Sequence, residues 1–122
     1  MSAIAKLTAF ALDCVDPRGV AEFYGAITGW DIERDNGDWV QLRGDGGATL
    51  AFQLAPDHRA PVWPSAEHPQ QAHLDFDVDD LDAGEAAVVA LGARKAAVQP
   101  EPDAFRVFLD PAGHPFCLVR ED

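Results

Sequence analysis

At 122 residues with 48% apolar content, the chain suits one domain, or one domain built from two small repeated units. A formal net charge of -12 opposes contact with phosphate backbones and anionic bilayers, so nucleic acid and membrane surfaces are set aside as partners. No apolar run is long enough to span a bilayer. The opening MSAIAKLTAF lacks the features of a signal peptide, and Cys14 and Cys117 lie in apolar runs that suit buried, reduced thiols, so a cytoplasmic protein without a disulfide is expected.

In chain order, Ala3 to Cys14 alternates as a strand, with Phe10, Leu12 and Cys14 on the apolar face and Ala9, Ala11 and Asp13 on the other. Asp16 offers a cap and Pro17 fits the first helical position. Val20, Phe23, Tyr24 and Ile27 then recur with helical spacing up to a stop at Gly29. Strands are expected at Trp30 to Arg34 and Asp38 to Arg43 around the turn Asp35-Asn36-Gly37, and at Thr49 to Leu54 after the loop Gly44 to Gly47. These elements form module 1, residues 3–54. Pro56, Pro61, Pro64 and Pro69 break the segment 55–71 into a linker. His58 and His68 read there as exposed loop residues. Trp63, between Pro61 and Pro64, is a candidate apolar lid or dimer contact.

The same grammar returns in module 2, residues 72–122: strand His73 to Val78, a cap at Asp79 or Asp80, helix Leu81 to Leu91, and a stop at Gly92. Strands follow near Lys95 to Gln99, Phe105 to Leu109 and Pro115 to Arg120. One constant shift brings Pro17 onto Leu81, Val20 onto Gly84, Tyr24 onto Val88 and Ile27 onto Leu91. A slightly longer shift brings Trp39 onto Phe105, Leu42 onto Phe108, Gly47 onto Gly113, Leu50 onto Phe116 and Phe52 onto Leu118. Each β-α-β-β-β unit leaves an apolar sheet face that needs its helix and an open edge that needs a partner. The expected fold is therefore α+β: two tandem β-α-β-β-β modules forming an open eight-stranded curved sheet in a single domain, 1–122.

Alternation also chooses the candidate site. In AHLDFDVDDL, His73, Asp75 and Asp77 share one face while Leu74, Phe76 and Val78 share the other. Continued across the strands, the concave face carries Asp13, Trp39, Gln41, Gln53, His73, Asp75, Phe105 and Cys117, among Ala9, Ala11, Ala51, Val107 and Val119. Apolar walls with a few orienting polar groups are what a small-molecule pocket needs, and Trp39 and Phe105 can stack on a planar ligand or pack at a dimer interface. His73 with Asp75 or Asp77 reads as a hydrogen-bonded pocket histidine ahead of a catalytic base. His114 belongs to the turn Asp110 to Pro115, which accounts for it without a metal. No nucleophile elbow, phosphate loop or CxxC pattern is present, and no catalytic residue is assigned.

The runs DCVDPRGVAEFYGAITGW, HLDFDVDDLDAGEAAVVALGA and FLDPAGHPFCLV resemble the vicinal oxygen chelate superfamily, the glyoxalase and bleomycin-resistance-like proteins, over nearly the whole chain. The resemblance implies paired modules, a homodimer, and a small molecule or a divalent metal held in the concavity. It also implies four metal-ligand positions, which here are Ala9, Ala51, His73 and Cys117. Only His73 is an ordinary match; alanine has no donor, and cysteine stands where such enzymes usually carry glutamate. The expectation is a metal-independent small-molecule-binding protein, for sequestration or resistance, with no cofactor and His73 as the one weak metal candidate. The alternative is a divalent-metal-dependent lyase, isomerase or dioxygenase with an atypical ligand set; glyoxalase I activity is not expected.

Overall fold

The computed structural model describes residues 3–46 and 49–120. The chain divides into two compact units, Met1–His58 and Arg59–Asp122. In the first unit, β1 (Ala9–Cys14), α1 (Pro17–Thr28), β2 (Ile32–Asp35), β3 (Trp39–Leu42) and β4 (Thr49–Leu54) form a helix on a four-stranded sheet of order β1-β4-β3-β2. In the second, β5 (Leu74–Val78), α2 (Leu81–Ala90), β6 (Arg94–Lys95), β7 (Phe105–Leu109) and β8 (Pro115–Arg120) repeat the plan in the order β5-β8-β7-β6. The first and last strands of each unit run parallel, which a crossover helix permits; the other pairs are antiparallel. The fold is thus α+β with two tandem β-α-β-β-β modules. Among the described residues, no helix is long and apolar enough to cross a membrane.

Local chemistry explains where the helices begin. Asp16 accepts from the Gly19 amide at 3.1 Å, Pro17 opens α1, and Gly29 closes it with φ 77°, donating its amide to the Gly25 carbonyl at 2.8 Å. In α2 the cap is Asp80 and not Asp79: its Oδ1 accepts from Asp82 at 2.9 Å and Ala83 at 3.2 Å. The turn at Asp35-Asn36-Gly37 forms as expected, with Gly37 at φ 85° and its amide on Asp35 Oδ1. Arg18 reaches the same carboxylate at 2.8 Å and ties α1 to the end of β2, which with the Gly37 amide holds Asp35 below the usual carboxylate range.

Several boundaries differ from expectation. The first strand begins at Ala9, not Ala3: Ile4 and Leu7 are exposed, and the first ladder partner is Thr49 opposite Ala9. The second strand is Ile32–Asp35 and not Trp30 to Arg34, because Trp30 gives its amide to Thr28 Oγ1 in the helix exit. The third is trimmed to Trp39–Leu42, and α2 ends at Ala90 with Leu91 as its cap. The largest departure is β6, which is Arg94–Lys95 rather than Lys95 to Gln99. Beyond Ala96, the Gln99 side chain takes over as pairing partner: its Nε2 donates to the Val107 carbonyl at 2.8 Å and to Ala96 O at 2.9 Å, while its Oε1 accepts the Val107 amide at 2.9 Å. Gly47, the expected counterpart of Gly113, falls outside the described residues.

Candidate functional site

On the first unit's sheet, the register sets Ala11 beside Ala51, and Asp13 and Trp39 on either side of Gln53. The Trp39 indole N–H donates to Gln41 Oε1 at 3.0 Å, and Gln41 Nε2 donates to Glu33 Oε2 at 3.0 Å. These polar groups form a relay along the strands. Ala51 is fully buried and Ala9 half-buried, so this sheet offers small apolar side chains at the two positions where the family resemblance puts ligands.

The second unit carries a largely apolar cavity on its sheet. It encloses about 410 Å³ and is lined by Trp63, Gln70, His73, Asp75, Pro100, Phe105, Val107, Pro115, Cys117 and Val119, a size within the range of small-molecule sites. The ladder builds it: Asp75 and Val107 flank Cys117, and Phe105 pairs with Val119. Cys117 and Val107 form its buried floor and pack with Ala96 in one core cluster, with Trp63, Phe105 and Val119 packed against it. His73, Asp75, Phe105 and Cys117 are therefore brought together as the alternation predicts, whereas Asp13, Trp39, Gln41 and Gln53 lie on the other unit's sheet.

Trp63 reaches the cavity because its loop is closed on itself and anchored. Val62 donates to His68 O at 2.7 Å, Ser65 to Val62 O at 2.6 Å, and Ser65 Oγ accepts from Glu67 at 3.1 Å. The anchor is the turn after β7. Asp110, 2% exposed, accepts from Ala112 at 2.8 Å and His114 at 2.9 Å through Oδ1. Gly113 has φ 87°, and a Cβ there would overlap that of Ala60, so glycine allows the start of the Trp63 loop to lie on the turn. Of the linker histidines, His68 is exposed and His58 half-buried.

The polar corner of the cavity is one cluster. His73 Nε2 lies 3.1 Å from Asp75 Oδ1, and ligand atoms of His73, Asp75 and Cys117 all fall within 4.8 Å of one another. Burial, the charge of Asp75 and a hydrogen bond to its carboxylate push the Cys117 thiol up to about 11. Cys117 is therefore a neutral thiol and no nucleophile near neutral pH. The four-point chelate implied by the family resemblance does not fit this chain, because Ala9 and Ala51 have no donor atom. The three second-unit donors are close, but they are engaged with one another, and a metal would require the thiolate.

Gln70 is the site residue that sequence reasoning missed. It sits in the linker, and its Oε1 is buried without a hydrogen-bond partner. Nothing in the local sequence marks it, since the feature arises from how the segment folds onto the sheet. Pro100, which the sequence does not single out, and Pro115, expected only as the end of the Asp110 turn and the start of the last strand, also wall the cavity.

Residues 9–119 match the family model described as a glyoxalase-like domain. The chain belongs to that family. It is a member of the vicinal oxygen chelate superfamily, and its fold is shared by solved structures of low sequence identity. A glyoxalase/bleomycin resistance protein/dioxygenase family enzyme from Burkholderia phytofirmans PsJN superposes with a TM-score of 0.71 at 18% identity, covering 95% of this chain and 98% of the other. A glyoxalase-related enzyme from Fulvimarina pelagi gives 0.68 at 21% identity, over 97% and 89%. The oxidase ChaP-H2 gives 0.65 at 20% identity, over 98% and 96%. No curated protein matches the sequence.

Proposed function

We propose that this glyoxalase-like domain binds a small organic molecule, independently of a metal, in the cavity of its second unit. The observation that carries this reading is the pairing of an apolar enclosure, formed by Trp63, Phe105, Val107 and Val119, with a single polar corner at His73 and Asp75. Such a site buries a ligand and orients it. Sequestration or resistance by capture is the role that suits a site holding no assigned catalytic residue. Cys14 and Cys117 are buried thiols rather than a disulfide, which suits a reducing cytoplasm, and self-association as a homodimer is the proposed assembly, checked by light scattering.

The closeness of His73, Asp75 and Cys117 favours one rival, a divalent-metal-dependent lyase, isomerase or dioxygenase with this atypical trio. Elemental analysis of protein purified without chelator separates the two. The expected result is no stoichiometric divalent ion, and no metal-stimulated turnover of the glutathione adduct of methylglyoxal. A stoichiometric ion that disappears in His73→Ala would sink the metal-independent reading in favour of its rival.

A further inference from the structure

The chemistry left unspent in the second-unit cavity restricts what its ligand must carry; this rests on the small-molecule reading above. Around the polar corner, two side chains already face one carboxylate: His73 Nε2 pairs with Asp75 Oδ1 at 3.1 Å, and Cys117 Sγ lies within 4.8 Å of the Asp75 carboxylate. Gln70 lines the same cavity, and its Oε1 is the buried side-chain atom without a partner among the described residues. A buried amide oxygen with no donor is unfavourable, and turning it toward a ligand breaks no hydrogen bond at that atom. The remaining walls include the aromatic side chains of Trp63 and Phe105, which favour an aromatic ligand.

We propose that the cavity selects aromatic molecules bearing a hydrogen-bond donor, an N–H or O–H group, which is received by Gln70 Oε1. Phenols and N–H heterocycles are the ligand class. Gln70 is then the specificity-determining residue, while the aromatic walls supply the sequence-tolerant part of the affinity.

The test uses two bicyclic probes of the same shape, indole, which has an N–H, and benzofuran, which has an ether oxygen in its place. Each is titrated into the full chain and followed by amide chemical shifts, for the wild type, Gln70→Leu and Gln70→Glu. Wild type should bind indole about tenfold more tightly than benzofuran. Gln70→Leu should fold with unchanged or raised Tm, since no hydrogen bond at Oε1 is lost, and should bind the two probes equally. Gln70→Glu, which retains an acceptor, should keep the preference for indole. Equal binding by the wild type would overturn the proposal, and so would a preference that survives in Gln70→Leu, which would make Asp75 the acceptor; both outcomes leave the small-molecule reading intact. Failure of both probes to shift any cavity residue would overturn that reading along with the proposal.

Discussion

In the first unit the helix carries the aromatic bulk. Phe23 and Tyr24 pack edge to face at 5.0 Å, and Tyr24 stacks on Phe52 of β4 at 5.6 Å with the rings 5° from parallel. In the second unit the sheet carries it. Phe116 meets Phe76 edge-on at 6.0 Å and Phe108 at 5.7 Å, while the helix above offers Gly84 where α1 has Val20, and Val88 where α1 has Tyr24. A Cβ at Gly84 would lie 3.1 Å from Leu118 Cδ1 and 3.3 Å from Val78 Cγ1. The two modules keep one topology while moving volume from one layer to the other. Close packing fixes the sum of side-chain volumes between helix and sheet, and leaves open which layer supplies them.

This contrast makes the sharpest predictions. Tyr24→Ala should cost about 3–5 kcal/mol in urea unfolding, whereas the equivalent Val88→Ala should cost about 1.5–3 kcal/mol. Equal losses would mean that the aromatic load of α1 is not what holds the first unit. Gly84→Val, which makes α2 resemble α1 at that position, should destabilise by about 1–3 kcal/mol through overpacking against Leu118 and Val78. A neutral outcome would show that the helix can lift from the second sheet. The smallest effect concerns Cys117 and leaves folding intact near neutral pH. With its thiol raised from 9.0 to about 11, alkylation at pH 8 should run about a hundredfold slower than at an ordinary cysteine, and should accelerate as pH climbs. The folded chain holds this proton more tightly than the unfolded one. Its contribution to stability is therefore complete below about pH 9 and is lost as pH rises toward 11, which alkaline denaturation of Cys117→Ser against wild type would register.

The sequence shows most of the fold because its signals are local. Asp16, Pro17 and Gly29 bracket α1 without help from anything distant, and the repeat aligns β3 with β7 and β4 with β8. Asp79 and Asp80 were not separable by type, since either carboxylate can cap; the extended backbone of Asp80, φ -136° and ψ 114°, decides between them. The strand expected at Lys95 to Gln99 is shorter than its place in the repeat suggests, because the pairing beyond Ala96 runs through an amide side chain, a substitution that no periodicity reveals. In the site, Phe105, Asp75 and Cys117 follow from alternation. Trp63 was visible as an apolar residue among prolines, yet its placement depends on Gly113 yielding to Ala60. Gln70 depends on tertiary burial alone, which is why it escaped a reading of the chain in order.

The Gln99 amide has a consequence for how the chain behaves in company. An outer strand of only Arg94–Lys95 leaves much of β7 facing outward, and a bare run of backbone donors and acceptors invites another molecule to add a strand of its own. By engaging both the amide and the carbonyl of Val107, Gln99 blunts that invitation with a side chain that cannot be extended into a ladder. Gln99 shares this protection with the Ala96 amide, which also donates to the Val107 carbonyl, and with Glu101, whose carbonyl takes the Phe105 amide. The edge beside the ligand cavity is thereby closed to strand addition without a full outer strand.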